Sequence, residues 1–110
     1  MTLLQQRDLA LGRRREELRL AVLERLREVL PRWLGWDEVW VFGSVVRPGQ
    51  FREGSDVDIA LEREPEGVTI YRLQAELSEV LGREVDVVLL SESRFAEAVR
   101  REGQRWTRSN

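Results

Sequence analysis

Three aspartates, Asp56, Asp58 and Asp86, stand where short apolar runs begin, in a chain whose other acids are mostly glutamate (15 of 20 acidic residues). Asp56 and Asp58 are two apart, so on a strand both side chains leave one face. Gly43-Ser44 closes another apolar run, and Arg47 follows one turn later. Short carboxylates are hard oxygen donors suited to Mg²⁺ or Mn²⁺ shared with phosphate oxygens. Three of them cannot sit ionised together unless something positive offsets their repulsion. Gly43 lets the backbone approach a ligand closely, and turn amides at Ser44, its hydroxyl and the Arg47 guanidinium can all bind an anion. A nucleoside triphosphate held through a divalent metal fits every one of these groups.

The rest of the composition narrows the chemistry. The chain has 110 residues, with no cysteine and no histidine, and all 18 basic residues are arginine. Thiol nucleophiles, imidazole bases, zinc sites built on either, and lysine-based phosphate loops are therefore excluded. A net charge of −2 and a pI near 5.3 argue against a nucleic-acid backbone as partner. The longest uncharged run, Val39 to Val46, is too short to span a bilayer. No signal-peptide pattern opens the chain, so a cytoplasmic protein is expected. The length predicts a single domain over 1–110, with a helical extension over 1–15 and a flexible tail over 104–110.

Stepping from these residues to what must position them, Leu18, Val22, Leu26 and Val29 recur at helical spacing, and Pro31 ends that helix. An earlier helix over 1–15, broken near Gly12, is expected, with Arg13, Arg14 and Arg15 solvated. Val39 to Phe42 predicts a first strand and Asp56 to Leu61 a second. Between them lie one turn over 44–47, stopped by Pro48, and a loop in which Arg52 and Glu53 face solvent. Ile70, Leu73, Leu77, Val80 and Leu81 mark a helix that Gly82 caps. Glu84 to Leu90 is the third strand, and Ser91 or Ser93 can cap a last helix running to about Arg101. The fold class is therefore α/β (α+β), a small mixed three-stranded sheet with flanking helices in the order α-β-α-β-α-β-α. A helix between the second and third strands calls for a crossover and hence parallel strands, which start at one sheet edge. Asp86 is thus expected beside Asp58. The first strand, joined by a short segment, should run antiparallel and bring Gly43-Ser44 to that same edge.

Gly43-Ser44-Val45-Val46-Arg47, then Ser55-Asp56-Val57-Asp58-Ile59, then Val85-Asp86-Val87-Val88 resemble the signature of the minimal nucleotidyltransferases, in the DNA polymerase β-like nucleotidyltransferase superfamily. The resemblance spans about Val39 to Leu90. It implies that fold, and transfer of a nucleoside monophosphate from a triphosphate, with ATP the expected donor, to a hydroxyl. By the resemblance, Gly43 and Ser44 hold the triphosphate, Arg47 offsets phosphate charge, and Asp56 and Asp58 ligate two divalent ions, Mg²⁺ or Mn²⁺. Asp86 ligates the metal beside the attacking hydroxyl and helps to remove its proton. Members usually carry a small residue before the arginine and glycine after it, where this chain has Val46 and Pro48.

Few residues remain to build an acceptor pocket, so the acceptor is expected on a partner protein, or a homo-oligomer completes the site. The resemblance implies a small helical HEPN-type toxin as that partner, with this chain its antitoxin. Two other readings stand beside the enzyme: an interaction protein that masks its partner without catalysis, and a nucleotide sensor without turnover. Each motif also has a plain structural reading. Asp56, Asp58 and Asp86 can be solvated strand positions, and Ser44 a helix N-cap. Trp33, Trp36 and Trp40 read as core, although an aromatic near the site could stack a base. Tyr71 and Trp106 read as packing or partner contacts.

Overall fold

The computed structural model describes residues 1–34 and 38–107. Trp36 and the last three tail residues lie outside the described residues.

The first helix, α1, is one element over Leu3–Val29 rather than two. Thr2 caps it with a reciprocal Gln5 contact, the Gln5 amide donating to Thr2 Oγ1 and the Thr2 amide to Gln5 Oε1. Gly12 costs only about 1 kcal/mol in a helix interior, too little to break a run of Leu, Gln, Ala and Arg. The second half of α1 buries Val22, Leu23, Leu26 and Val29 against the core, and Pro31 follows in a short 3₁₀ turn, Leu30–Arg32.

Strands β1 (Val39–Phe42), β2 (Val57–Leu61), β3 (Val85–Leu89) and β4 (Gln104–Trp106) form one mixed sheet in the order β3-β2-β1-β4. β1 and β2 are antiparallel and β2 and β3 parallel, as the short loop and the crossover require. The crossover helix, α2 (Ile70–Leu81), starts on a Thr69 cap and ends at Gly82, which takes the left-handed conformation at φ 66°. Outward amides of edge strand β3 meet side chains of α2: Val85 N donates to Ser78 Oγ and Val87 N to Gln74 Oε1.

Two expectations fail near the C-terminus. The last helix, α3, spans Ala96–Glu102 and starts without a side-chain cap; Ser93 instead accepts the Phe95 amide, at 3.0 Å. Residues 104–106 are not a frayed tail but a fourth strand paired antiparallel with β1. Trp106 draws them in: it is buried in the main core, with the Arg27 guanidinium 4.7 Å from its ring centroid.

Alternation along the strands sends Val39, Val41, Val57, Ile59, Leu61, Val85, Val87 and Leu89 to one face, into the core shared with α1 and α2. On the other face Trp40, Ala60 and Val88 pack beneath α3 with Leu90 and Val99. One pair-step further along, the same face carries Phe42, Asp58 and Asp86.

Candidate active site

The register brings the acidic pair together. Asp58 is the Cα partner of Asp86 on β3 and of Phe42 on β1, so the end of β1 and the starts of β2 and β3 share a rim. Asp56 stands just before β2 and is exposed, whereas Asp58 and Asp86 are half-buried. The Asp58 carboxyl is held above its ordinary value, by burial first and then by the charges of Asp86 and Asp56. Asp58 therefore feels both of the other aspartates. Among the described residues, no three acidic side chains are drawn into a preassembled ion cage. Like charges splay without a cation, and Mg²⁺ commonly takes only one or two carboxylates together with substrate phosphate. An open half-set of oxygen donors fits such a shared ion.

Immediately after β1 the chain makes a 3₁₀ turn, Gly43–Val46. Gly43 lies at φ 79°, in the left-handed region, and a Cβ there would collide with Asp58 Oδ2. Turn and carboxylate are thus in direct apposition, and only glycine allows it. Ser44 sits inside the turn rather than capping it; Phe42 occupies the cap position without a side-chain bond.

Arg47, expected to reach the same phosphate, is paired with an acid of α3. Preceding Pro48, it is driven extended (φ −114°, ψ 107°), and its guanidinium meets Glu102 of α3 at 3.3 Å. Pro48, one of the two departures from the expected motif, is what ends the turn here.

Two other arginines, unremarked in the sequence, hold the site's loops. Arg19 is buried on α1; its Nη1 donates to the Val45 carbonyl at 3.1 Å while Glu16 receives Nε and Nη2 at 2.9 and 2.6 Å. It thereby ties α1 to the back of the Gly43 turn. The signal was its place one turn ahead of Val22 and Leu23 in the buried stripe, with Glu16 three residues before it. Arg83 donates to the Ser55 carbonyl at 2.8 Å and lies over the buried Phe51 ring at 4.7 Å, fixing the loop that leads into Asp56. No local pattern marks it. Arg15, expected to be solvated, approaches Glu53 of the same loop at 3.6 Å.

The described tryptophans lie elsewhere. Trp33 lines a cavity of about 520 Å³ with Glu38, Leu61 and Arg63 at the opposite end of the sheet, and no aspartate of the rim borders it. Trp40 packs under α3, its indole N–H donating to Glu62 at 3.0 Å. The exposed aromatic beside the Gly43 turn is Phe95.

Residues 24–108 match the family described as Polymerase beta, Nucleotidyltransferase. The chain has no match among curated proteins. Among solved structures, the crystal structure of a toxin–antitoxin with AMP-PNP is similar over 81% of this chain and 73% of its own, at 24% identity and a TM-score of 0.54. The crystal structure of a mutant of the toxin–antitoxin MntA-HpeT is similar over 78% of this chain and 68% of its own, at 22% identity and a TM-score of 0.51. Both likenesses concern the fold. Because the family match covers most of the chain, the chain belongs to the polymerase beta nucleotidyltransferase family.

Proposed function

We propose that this chain is a metal-dependent nucleotidyltransferase that moves a nucleoside monophosphate from a triphosphate, ATP in the first instance, to a hydroxyl on a partner protein. One observation carries the reading: Gly43, left-handed, abuts Asp58, which is itself in register with Asp86. Asp56, Asp58 and Asp86 would hold two divalent ions, Mg²⁺ or Mn²⁺, whose chemistry is stabilisation of the entering and leaving oxygens.

The chain's own groups do the rest. Gly43 admits a phosphate oxygen beside Asp58, where a Cβ would collide with that carboxylate, and turn amides at Ser44 can bind such an anion. Ser44 adds a hydroxyl donor. Arg47 exchanges an exposed carboxylate partner, worth at most about 1 kcal/mol, for the phosphates. The acceptor oxygen bonds to the α-phosphorus as the bond to the β-phosphate oxygen breaks. Pyrophosphate leaves, and the hydroxyl proton passes to Asp86.

The similar structures are toxin–antitoxin assemblies, one with AMP-PNP, which supports an antitoxin role opposite a HEPN-type toxin. Among the described residues no helix is long and apolar enough to cross a membrane. The test mixes the chain with ATP labelled at the α-phosphate, Mg²⁺ and the product of the neighbouring gene, and looks for label on that product. Label lost in Asp58→Ala, with partner binding kept, supports the enzyme. A partner neutralised equally well by Asp58→Ala and Asp86→Ala favours masking. Nucleotide bound without labelled product favours a sensor.

A further inference from the structure

Beside the Gly43 turn, on the face of the sheet that carries Asp58 and Asp86, a cleft of about 130 Å³ separates the turn from α3. Phe42 and Gly43 line it from the sheet, Arg47 from the turn, and Phe95, Ala98 and Glu102 from α3 and its lead-in. Phe95 is 68% exposed, although large aromatic side chains ordinarily bury. Its backbone is nonetheless fixed: its amide donates to Ser93 Oγ at 3.0 Å, and its carbonyl accepts the Val99 amide at 2.9 Å. The ring is thus held in water by an ordered segment, at the mouth of a cleft that is continuous with the glycine turn.

We infer that this cleft is the nucleoside subsite: the planar base of the bound nucleotide stacks on the Phe95 ring while its phosphates run past Gly43 to the aspartates. The inference rests on the nucleotidyl-transfer reading and adds to it where the base goes. Three properties of the lining select such a ligand. The Phe95 ring presents an open π-face, which any base can use. Phe42 and Ala98 provide apolar walls for the edge of the base or for the sugar. Of the side chains that line the cleft only Arg47 and Glu102 are polar, which leaves few donors or acceptors for reading one base against another. Stacking without hydrogen-bond readout favours larger ring systems, so purine triphosphates bind ahead of pyrimidine ones. Phosphates entering at Gly43 also offer Arg47 a stronger partner than Glu102, and breaking that pair widens the mouth of the cleft.

The experiment separates base from phosphate. Calorimetric titration of the intact chain in Mg²⁺ uses ATP, CTP and inorganic tripolyphosphate as ligands, with wild type, Phe95→Ala and Phe95→Trp as proteins. Melting curves of the variants should match wild type, because the side chain lies in water. The subsite predicts that ATP binds wild type more tightly than tripolyphosphate does, with CTP between them. Phe95→Ala should weaken ATP by about tenfold, within the range of single base–aromatic stacks, and leave tripolyphosphate unchanged; Phe95→Trp should retain ATP. An ATP affinity unchanged in Phe95→Ala, with tripolyphosphate still bound, overturns the subsite and leaves the enzyme reading standing. A wild-type chain that binds neither ligand overturns both.

Discussion

Asp58 and Glu62 are acids on the same face of the same strand line, four residues apart, roughly 13 Å along the chain. Their surroundings have opposite signs. Glu62, just past the end of β2, accepts from Arg100 Nε and Nη2 at 3.2 and 2.9 Å and from the Trp40 indole at 3.0 Å, and these contacts hold its carboxyl below the ordinary value. Asp58, at the start of β2, has burial, Asp86 and Asp56 around it, and its carboxyl is held above the ordinary value. Between them Ala60 is fully buried under α3. One alternating strand therefore carries a satisfied acid at one end and an unsatisfied acid at the other. The satisfied acid fastens α3 to the sheet. The unsatisfied one is costlier to ionise, a cost that the divalent ions proposed for this end of the strand would offset.

The comparison breaks most decisively through activity. Asp58→Ala should lower label transfer by about a thousandfold or more, the scale of losing metal-based charge stabilisation, while the chain stays folded. Glu62→Ala should leave transfer per folded molecule unchanged. Equal losses in the two variants would show that the ends of β2 do not differ in role.

Glycines sharpen the same contrast. Gly43 and Gly82 are both left-handed, at φ 79° and 66°, but a Cβ at Gly82 would meet nothing within 4 Å, whereas at Gly43 it would strike Asp58. Each alanine variant should lose about 1–2 kcal/mol for the backbone conformation alone. Gly43→Ala should also displace the carboxylate and reduce transfer by about a hundredfold; Gly82→Ala should not touch it. Urea melts beside transfer assays give both quantities.

Glu62 carries the next effect. Its removal takes away a partly exposed ion pair with Arg100 and the acceptor of the Trp40 indole N–H, so Glu62→Ala should cost about 1–2 kcal/mol by denaturant titration. Restoring Gln at this position keeps an acceptor for the indole and should recover part of the loss.

How much of this the sequence disclosed depends on the kind of contact. Local punctuation worked: Gly82 after a stripe of leucines ends α2, and the crossover it belongs to dictates parallel strands and hence Asp58 beside Asp86. Alternation then put both aspartates on the face opposite Val57 and Ile59. Contacts between distant segments left little trace. Residues 104–106 contain one apolar side chain, so nothing in them announces a strand; β4 exists because Trp106 finds Arg27 and the core. Arg19 resembles any arginine of an Arg-rich helix until the Val45 carbonyl arrives from 26 residues away. Which exposed aromatic borders the site was likewise a tertiary matter, and among the described residues it is Phe95.

The smallest effect is also the most direct reading of the two acids, because their contributions to stability should slope in opposite directions with pH. Asp58 titrates above its ordinary value of 3.8 in the folded chain, so the unfolded chain gives up its proton first. Its contribution is fully present below that value and is lost as pH rises through the folded pKa. Glu62 titrates below its ordinary value of 4.5 when folded. Its contribution is present above that value and is lost as pH falls through the folded pKa. Unfolding free energies of wild type, Asp58→Asn and Glu62→Gln, measured from acid to neutral pH, isolate each group by subtraction. The wild-type advantage over Asp58→Asn should shrink as pH rises, leaving the amide slightly the more stable at neutrality, while the advantage over Glu62→Gln should grow. Millimolar Mg²⁺ should move the Asp58 limb to lower pH, since a cation favours the ionised carboxylate, and leave the Glu62 limb in place. Parallel slopes, or a Mg²⁺ response at Glu62, would mean that the aspartate end of the strand is no more receptive to a cation than the other.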